Sequence, residues 1–228
     1  MTTKAKRGIG DGGRTLKEML EENRRLLRET GCYAGITEPH LLRQDPVKAE
    51  LFHSRLMSSL ISGREKCKMI SGSPFVGEVA ELAMGLYTPE GDNVIQSTGI
   101  QVHIRLMGDN ITWMIENDYE EEEVGIEDGD LFLANDPVIA GIHAPDLYDI
   151  LPIFYEGELV AWVCTVIMEM DIGAVSPGCM PTTSVERGAD GLKFCCEKIG
   201  SKDKIRRDFE IKIENSLDLA DLFLLDRK

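Results

Sequence analysis

The sequence predicts an α+β fold, a helical amino-terminal part followed by a β-rich, mixed-sheet part. Apolar residues recur at helical spacing through roughly the first half of the chain. After about residue 124 they gather into short β-branched and aromatic runs set between Gly, Asp and Pro turns. No internal repeat or low-complexity linker separates the two halves, so residues 1–13 read as a mobile tail and 14–228 as a single α+β region. With 228 residues, 43% of them apolar, the chain can bury a substantial core.

RTLKEMLEENRRLLRETG (14–31) places Leu16, Met19, Leu20, Leu26 and Leu27 on one side and ends at Gly31, which predicts an amphipathic helix with a glycine stop. Asp45-Pro46 is a cap followed by a first-turn proline, and it opens the longest expected helix, 45–71. FVGEVAELAMGLYTPEGD (75–92) reads as a shorter helix or strand–helix piece that ends in a turn. In TGIQVHIRLMGD (98–109), Val102, Ile104 and Leu106 alternate with His103 and Arg105, which predicts a strand carrying His103. A helix is expected over 108–123, fading into the acidic run YEEEEVG, read as a solvated face or a loose loop. Two apolar stretches flank YEGEL and predict a hairpin. The closing SLDLADLFLLDRK is apolar almost to its end and predicts a helix that packs on a partner or continues in a longer parent.

A net charge of −15 argues against a nucleic-acid binder, which needs cationic surface to displace counterions from phosphates. No apolar run is long enough to span a bilayer, and the basic start lacks the apolar stretch of a secretory signal. Six cysteines without disulfide-framework or CxxC spacing read as reduced thiols in a cytoplasmic chain. The phosphate-binding GxxxxGK[ST] loop, GxGxxG after a strand, GxSxG and HExxH are all absent, so any nucleotide chemistry falls to a partner or to an unfamiliar site.

Chemistry concentrates around NDPVIAGIHAPD (135–146). His143 and Asp146, three apart in a turn bounded by Gly141 and Pro145, can converge on a divalent ion; they can equally serve as a backbone-bonded histidine and a turn-capping aspartate. Glu169 and Asp171 end an apolar strand just before a Gly- and Pro-rich loop, a common setting for a site. His103 is a further candidate, beside the alternative of a hydrogen-bonded strand histidine.

Three stretches occur in order: LFLANDPVIAGIHAPDLYDILPIFYEGELVAWV, MEMDIGAVSPGCMP and ERGADGLKFCCEKIG. Together with LYTPEGDNVIQSTGIQVHIRLMGDNITWMI upstream, they resemble the hydantoinase B/oxoprolinase family over roughly residues 20–225, and most closely the large (alpha-type) subunits of its acetone and acetophenone carboxylases. The resemblance implies the amino-terminal portion of such a subunit, acting in an ATP-dependent ketone carboxylase complex. It implies His143 and Asp146 as ligands of a divalent metal, manganese or zinc, with Met168 standing where the family carries a third ligand, a histidine. His103 and Glu169 are then expected in proton transfer or in support of the ligands. The implied partners are a hydantoinase A-like ATPase subunit, which handles ATP, and the other carboxylase subunits. The implied substrates are a ketone and bicarbonate. Two other readings fit the same resemblance: ATP-dependent opening of a hydantoin or oxoproline-type lactam, and a non-catalytic structural subunit.

Overall fold

Local signals set the first helices, as a computed structural model of the chain shows for residues 8–176, 178 and 180–227. Helix α1 (Leu16–Thr30) opens with a reciprocal cap: Thr15 Oγ1 accepts the Glu18 N–H at 3.2 Å and Glu18 Oε2 accepts the Thr15 N–H at 2.8 Å. It closes on Gly31 in the left-handed region, φ 74°. Its buried side is Leu16, Met19, Leu20 and Asn23. The expected tail lies outside the described residues up to position 7, but residues 8–13 are held. The Ile9 N–H donates to Glu120 and the Ile9 carbonyl accepts from the Leu159 N–H. Glu120 also accepts the Leu16 N–H at 2.8 Å, so one glutamate of the acidic run ties the chain start to the body rather than facing solvent.

A short α2 (His40–Gln44) leads into α3 (Pro46–Ile70), capped as expected by Asp45 Oδ1 on the Lys48 N–H at 2.9 Å. Helix α3 buries only Leu60 and Arg64. Arg64 fastens it to the body by donating to the Ala80 and Leu82 carbonyls. One turn, α4 (Pro74–Gly77), precedes β1 (Leu82–Tyr87) and β2 (Asn93–Gln96). The 75–92 stretch therefore holds the end of one helical turn followed by strand β1.

Helix α5 (His103–Glu116) corrects the strand expected over 98–109. Ile104, Met107, Ile111, Met114 and Ile115 are all buried, a 3.6-residue stripe that outweighs the three-residue alternation at 102–106. His103 is thus the first residue of a helix, set against the sheet.

Then follow β3 (Leu131–Ala134), α6 (Pro137–Ala140), β4 (Asp146–Tyr155), β5 (Glu158–Met168), β6 (Glu197–Ser201), β7 (Lys204–Ile205), α7 (Arg207–Glu214) and α8 (Ala220–Leu225). The seven strands form one sheet in the order β2-β1-β5-β4-β3-β6-β7. Every pairing among the described residues is antiparallel, so the sheet is not mixed. The hairpin between β4 and β5 turns through Glu156 and Gly157 at φ 51° and 86°, both left-handed, as a twist-compatible two-residue turn requires.

Strand alternation divides the core in two. Tyr148, Ile150, Trp162, Cys164 and Val166 face α1 and α5; Leu147, Ile167 and Ile199 face α7 and α8. The apolar chain end belongs to the second layer: Phe223 and Leu224 are buried, and Phe223 lies in a ring cluster with Phe194 and Phe209. Of the two expectations for this stretch, a partner or a longer parent, a partner is not needed to bury Phe223 and Leu224, which pack in this chain's own core.

Candidate functional site

The loop that carries His143 is built by Asn135 and Asp136. Asn135 is fully buried; its Nδ2 donates to the Ala144 carbonyl at 2.6 Å and the Leu192 carbonyl at 3.0 Å, and its Oδ1 accepts the Phe194 N–H at 2.7 Å. Ala144 lies between His143 and Asp146, so this amide fixes where both point. Asp136 caps α6 through the Val138 N–H and pairs with Arg187 across the 172–192 loop. Here the Asn-Asp-Pro motif is scaffold.

His143 Nδ1 and Asp146 Oδ2 stand 2.9 Å apart, the His143 side chain 38% exposed and the Asp146 side chain 3%. They are at ion-pair distance but out of hydrogen-bonding alignment, and neither atom finds another hydrogen-bond partner among the described residues. An imidazole nitrogen and a carboxylate oxygen converging in this way attract each other and are also donor types that suit a divalent ion. The carboxylate raises the His143 pKa above its usual value, with burial opposing.

His103 joins them from the start of α5. It is buried, with Nδ1 2.8 Å from Tyr148 Oη and the two rings in tilted contact. Burial pushes its pKa down, Asp146 pulls it up, and a charged His143 pushes it down again. Glu81, half-buried just before β1, acts electrostatically on both histidines. Sequence reasoning missed it: its only signal is a strand-start carboxylate, and 62 positions separate it from His143 until β1 pairs with β5.

Met168 is buried directly across the β4–β5 ladder from Asp146. Among the described residues, no three His, Cys, Asp or Glu side chains converge as a complete metal site. His143 and Asp146 would supply at most two of an ion's ligands.

Glu169 and Asp171 do not join this group. Adjacent strand residues face opposite sides, and Glu169 points to the α8 layer, where Arg227 Nη1 donates to it at 2.6 Å. Burial pushes its carboxyl up to about 7 against the pull of Arg227. Asp171 accepts from the Gly173 N–H at 2.8 Å and the Leu219 N–H at 3.0 Å, fastening the strand end to the start of α8. Of the Asp-Ile-Gly…Pro-Gly motif, Pro177 lies outside the described residues.

An α+β fold with this His-x-x-Asp loop over a seven-stranded antiparallel sheet defines the class: the chain belongs to the hydantoinase B/oxoprolinase family, whose pattern matches residues 45–225. Among its relatives, the acetone carboxylase alpha subunit of Xanthobacter autotrophicus is 38% identical over 224 residues, covering 98% of this chain and 29% of the relative. The acetophenone carboxylase delta subunit of Aromatoleum aromaticum is 32% identical over 170 residues, 72% of this chain and 23% of the relative. The nucleotide-free structure of acetone carboxylase superposes with a TM-score of 0.92 at 39% identity, over 96% of this chain and 29% of that one. An ATP-dependent caprolactamase from Pseudomonas jessenii shares the fold, with a TM-score of 0.66 at 20% identity. The chain spans less than a third of the length of the curated relatives it matches. No helix among the described residues is long and apolar enough to cross a membrane.

Proposed function

We propose that this chain is the amino-terminal portion of the large subunit of an ATP-dependent ketone carboxylase complex. In this reading the complex joins a ketone, as its enol or enol phosphate, to activated bicarbonate and yields a β-keto acid. The observation that carries the site is the buried, unsatisfied contact between His143 Nδ1 and Asp146 Oδ2. These two residues would hold a divalent ion, manganese or zinc, which supplies Lewis-acid stabilisation of developing oxygen charge. His103 stays neutral near pH 7 because burial lowers its pKa, which suits it to accept a proton beside the pair. Glu169 is withdrawn from this role, since its carboxylate is committed to Arg227 on the opposite face. ATP would be handled by a hydantoinase A-like partner. The likeness to the acetone and acetophenone carboxylase subunits favours a ketone over a lactam.

Calorimetric titration with Mn²⁺ or Zn²⁺ tests the site on the chain itself. The expected result is weak binding by the wild type, loss of binding in His143→Ala, and a gain of about tenfold or more in Met168→His, which places an imidazole opposite Asp146. Equal behaviour of all three would exclude a metal at this loop. Met168 in the third position favours a second reading, a structural subunit that docks a catalytic partner, and that outcome would select it.

A further inference from the structure

The turn that carries His143 and Asp146 is held from outside at two successive carbonyls. Asn135 Nδ2 donates to the Ala144 carbonyl at 2.6 Å, and the Glu169 N–H donates to the Pro145 carbonyl at 2.9 Å. Pro145 has no N–H of its own, so its carbonyl is the backbone group by which the body can grip the turn at that position. Glu169 lies one residue beyond the last pair of the β4–β5 ladder, Asp146 with Met168. Its side chain leaves in the opposite direction, into the α8 layer. There Arg227 Nη1 donates to it at 2.6 Å, with both side chains buried.

Glu169 therefore serves two contacts, its backbone on the turn and its carboxylate on Arg227. The two are unequal. A buried carboxylate stripped of its cation costs more to keep in place than one backbone hydrogen bond contributes. Without Arg227 the segment gains more by turning Glu169 toward water than by keeping its N–H on Pro145, and Asn135 then holds the turn from one side alone. Among the described residues, Arg227 supplies the ion pair of Glu169. Asp149, 3.2 Å from the same guanidinium, adds a second carboxylate rather than a second cation.

We propose that Arg227 is a positioning residue for the His143–Asp146 turn, acting through Glu169. By pairing with the buried carboxylate it keeps the Glu169 N–H on the Pro145 carbonyl, and so holds His143 and Asp146 at their 2.9 Å approach. The consequence for metal affinity rests on the proposed reading of this turn as part of a metal site; the positioning itself does not.

Arg227→Gln, alone and combined with Glu169→Gln, tests this on the whole chain with two readouts. Hydrogen exchange of the Glu169 amide, taken relative to Val166 on the same strand, reads the bond to Pro145 without any metal. Calorimetry with Mn²⁺ reads the turn. Arg227→Gln should speed the relative exchange by about tenfold and weaken Mn²⁺ binding by a similar factor. Adding Glu169→Gln removes the unpaired charge and should return both to within about threefold of the wild type, a rescue that the lost packing of the guanidinium would not show. Should Arg227→Gln not fold, Asp149→Asn is added to every variant, which leaves one carboxylate rather than two without a cation. Unchanged Glu169 exchange in Arg227→Gln would overturn the proposal, as would a double variant as impaired as the single. A wild-type chain that binds no Mn²⁺ overturns the metal reading instead, and the exchange rates still decide the positioning.

Discussion

Asp146 and Asp149 lie three residues apart on β4, face opposite sides of the sheet, and have surroundings that differ in kind. On the α5 side, Asp146 meets His143 without a hydrogen bond, and His103 stands nearby with one partner, a tyrosine. On the α8 side, Asp149 and Glu169 close around Arg227, whose side chain is completely buried. The guanidinium is 3.2 Å from Asp149, 2.6 Å from Glu169, donates to the Phe223 carbonyl at 2.8 Å and stacks 4.0 Å from the Phe223 ring. Asp226 beside it accepts from Ser71 and Gly72 and so ties α8 to the end of α3. Unaligned buried atoms do not separate the two, since Asp149 Oδ1 and Arg227 Nε and Nη2 lack an aligned partner just as His143 Nδ1 and Asp146 Oδ2 do. Charge and access separate them: Asp149 and Glu169 enclose a cation of this chain that is completely buried, whereas the Asp146 carboxylate meets a histidine side chain that reaches the surface.

The largest expected effect breaks the closed cluster. Arg227→Met leaves Glu169 and Asp149 buried without their cation and should cost about 3–5 kcal/mol in denaturant unfolding. His143→Ala on the open side should cost less than about 1 kcal/mol. Comparable losses from the two substitutions would erase the distinction.

A pH titration of stability addresses the same contrast. Glu169 sits at about 7 in the fold against an ordinary 4.5. A raised folded pKa means the folded state holds the proton more tightly. Its contribution is therefore full below about 4.5 and is lost as pH rises through about 7. The loss should approach ~3 kcal/mol over that window, following from about 1.36 kcal/mol per unit. Glu169→Gln should flatten the slope. His103 acts with the opposite sign: its depressed pKa costs stability as pH falls below its ordinary value. A wild-type curve with no Glu169-dependent decline between pH 5 and 7 would refute the crowded-carboxylate account.

Next in size is Asn135→Ala, which strips partners from the Ala144 and Leu192 carbonyls and the Phe194 N–H. A loss of about 2 kcal/mol is expected, with metal binding at His143 weakened in parallel because the loop is released. Calorimetry on the variant should show both changes, and full stability with full binding would deny Asn135 its positioning role.

Much of this was legible in the sequence where the signal is local. Gly31 after α1, Asp45 with Pro46, and Glu156-Gly157 each specify a stop, cap or turn locally, and each forms. His143 and Asp146 are neighbours in one loop, and their meeting could be anticipated. Where topology decides, the reading failed. The side of the sheet that Glu169 faces depends on strand parity at the end of β5, and its partner lies 58 residues away. Glu81 reaches the histidines only after β1 has joined β5. His103 sits where an alternating run and a helical stripe overlap, and only the depth of the core behind Met107 and Ile111 decides between them.

The smallest effect probes how the open cluster is held. Tyr148 Oη lies against the backbone amide of Ile142 as well as 2.8 Å from His103 Nδ1. If the hydroxyl oxygen accepts from Ile142, its proton is directed at Nδ1, which leaves the histidine proton on Nε2, the nitrogen free of Tyr148. That bond favours neutral His103 and adds to the effect of burial in lowering its pKa. Tyr148→Phe removes the donor and should cost only about 1 kcal/mol, since the ring still packs in the core. The His103 pKa should then move back up toward the ordinary histidine value, and the ring should lose its fixed tautomer. Nitrogen chemical shifts of His103 across pH, in wild type and Tyr148→Phe, read both. A further fall of the pKa in the variant would mean that Nδ1 carries the proton and Tyr148 accepts it, because the lost bond then favoured the charged ring, and would reverse the direction of the chain that links the His143 loop to α5.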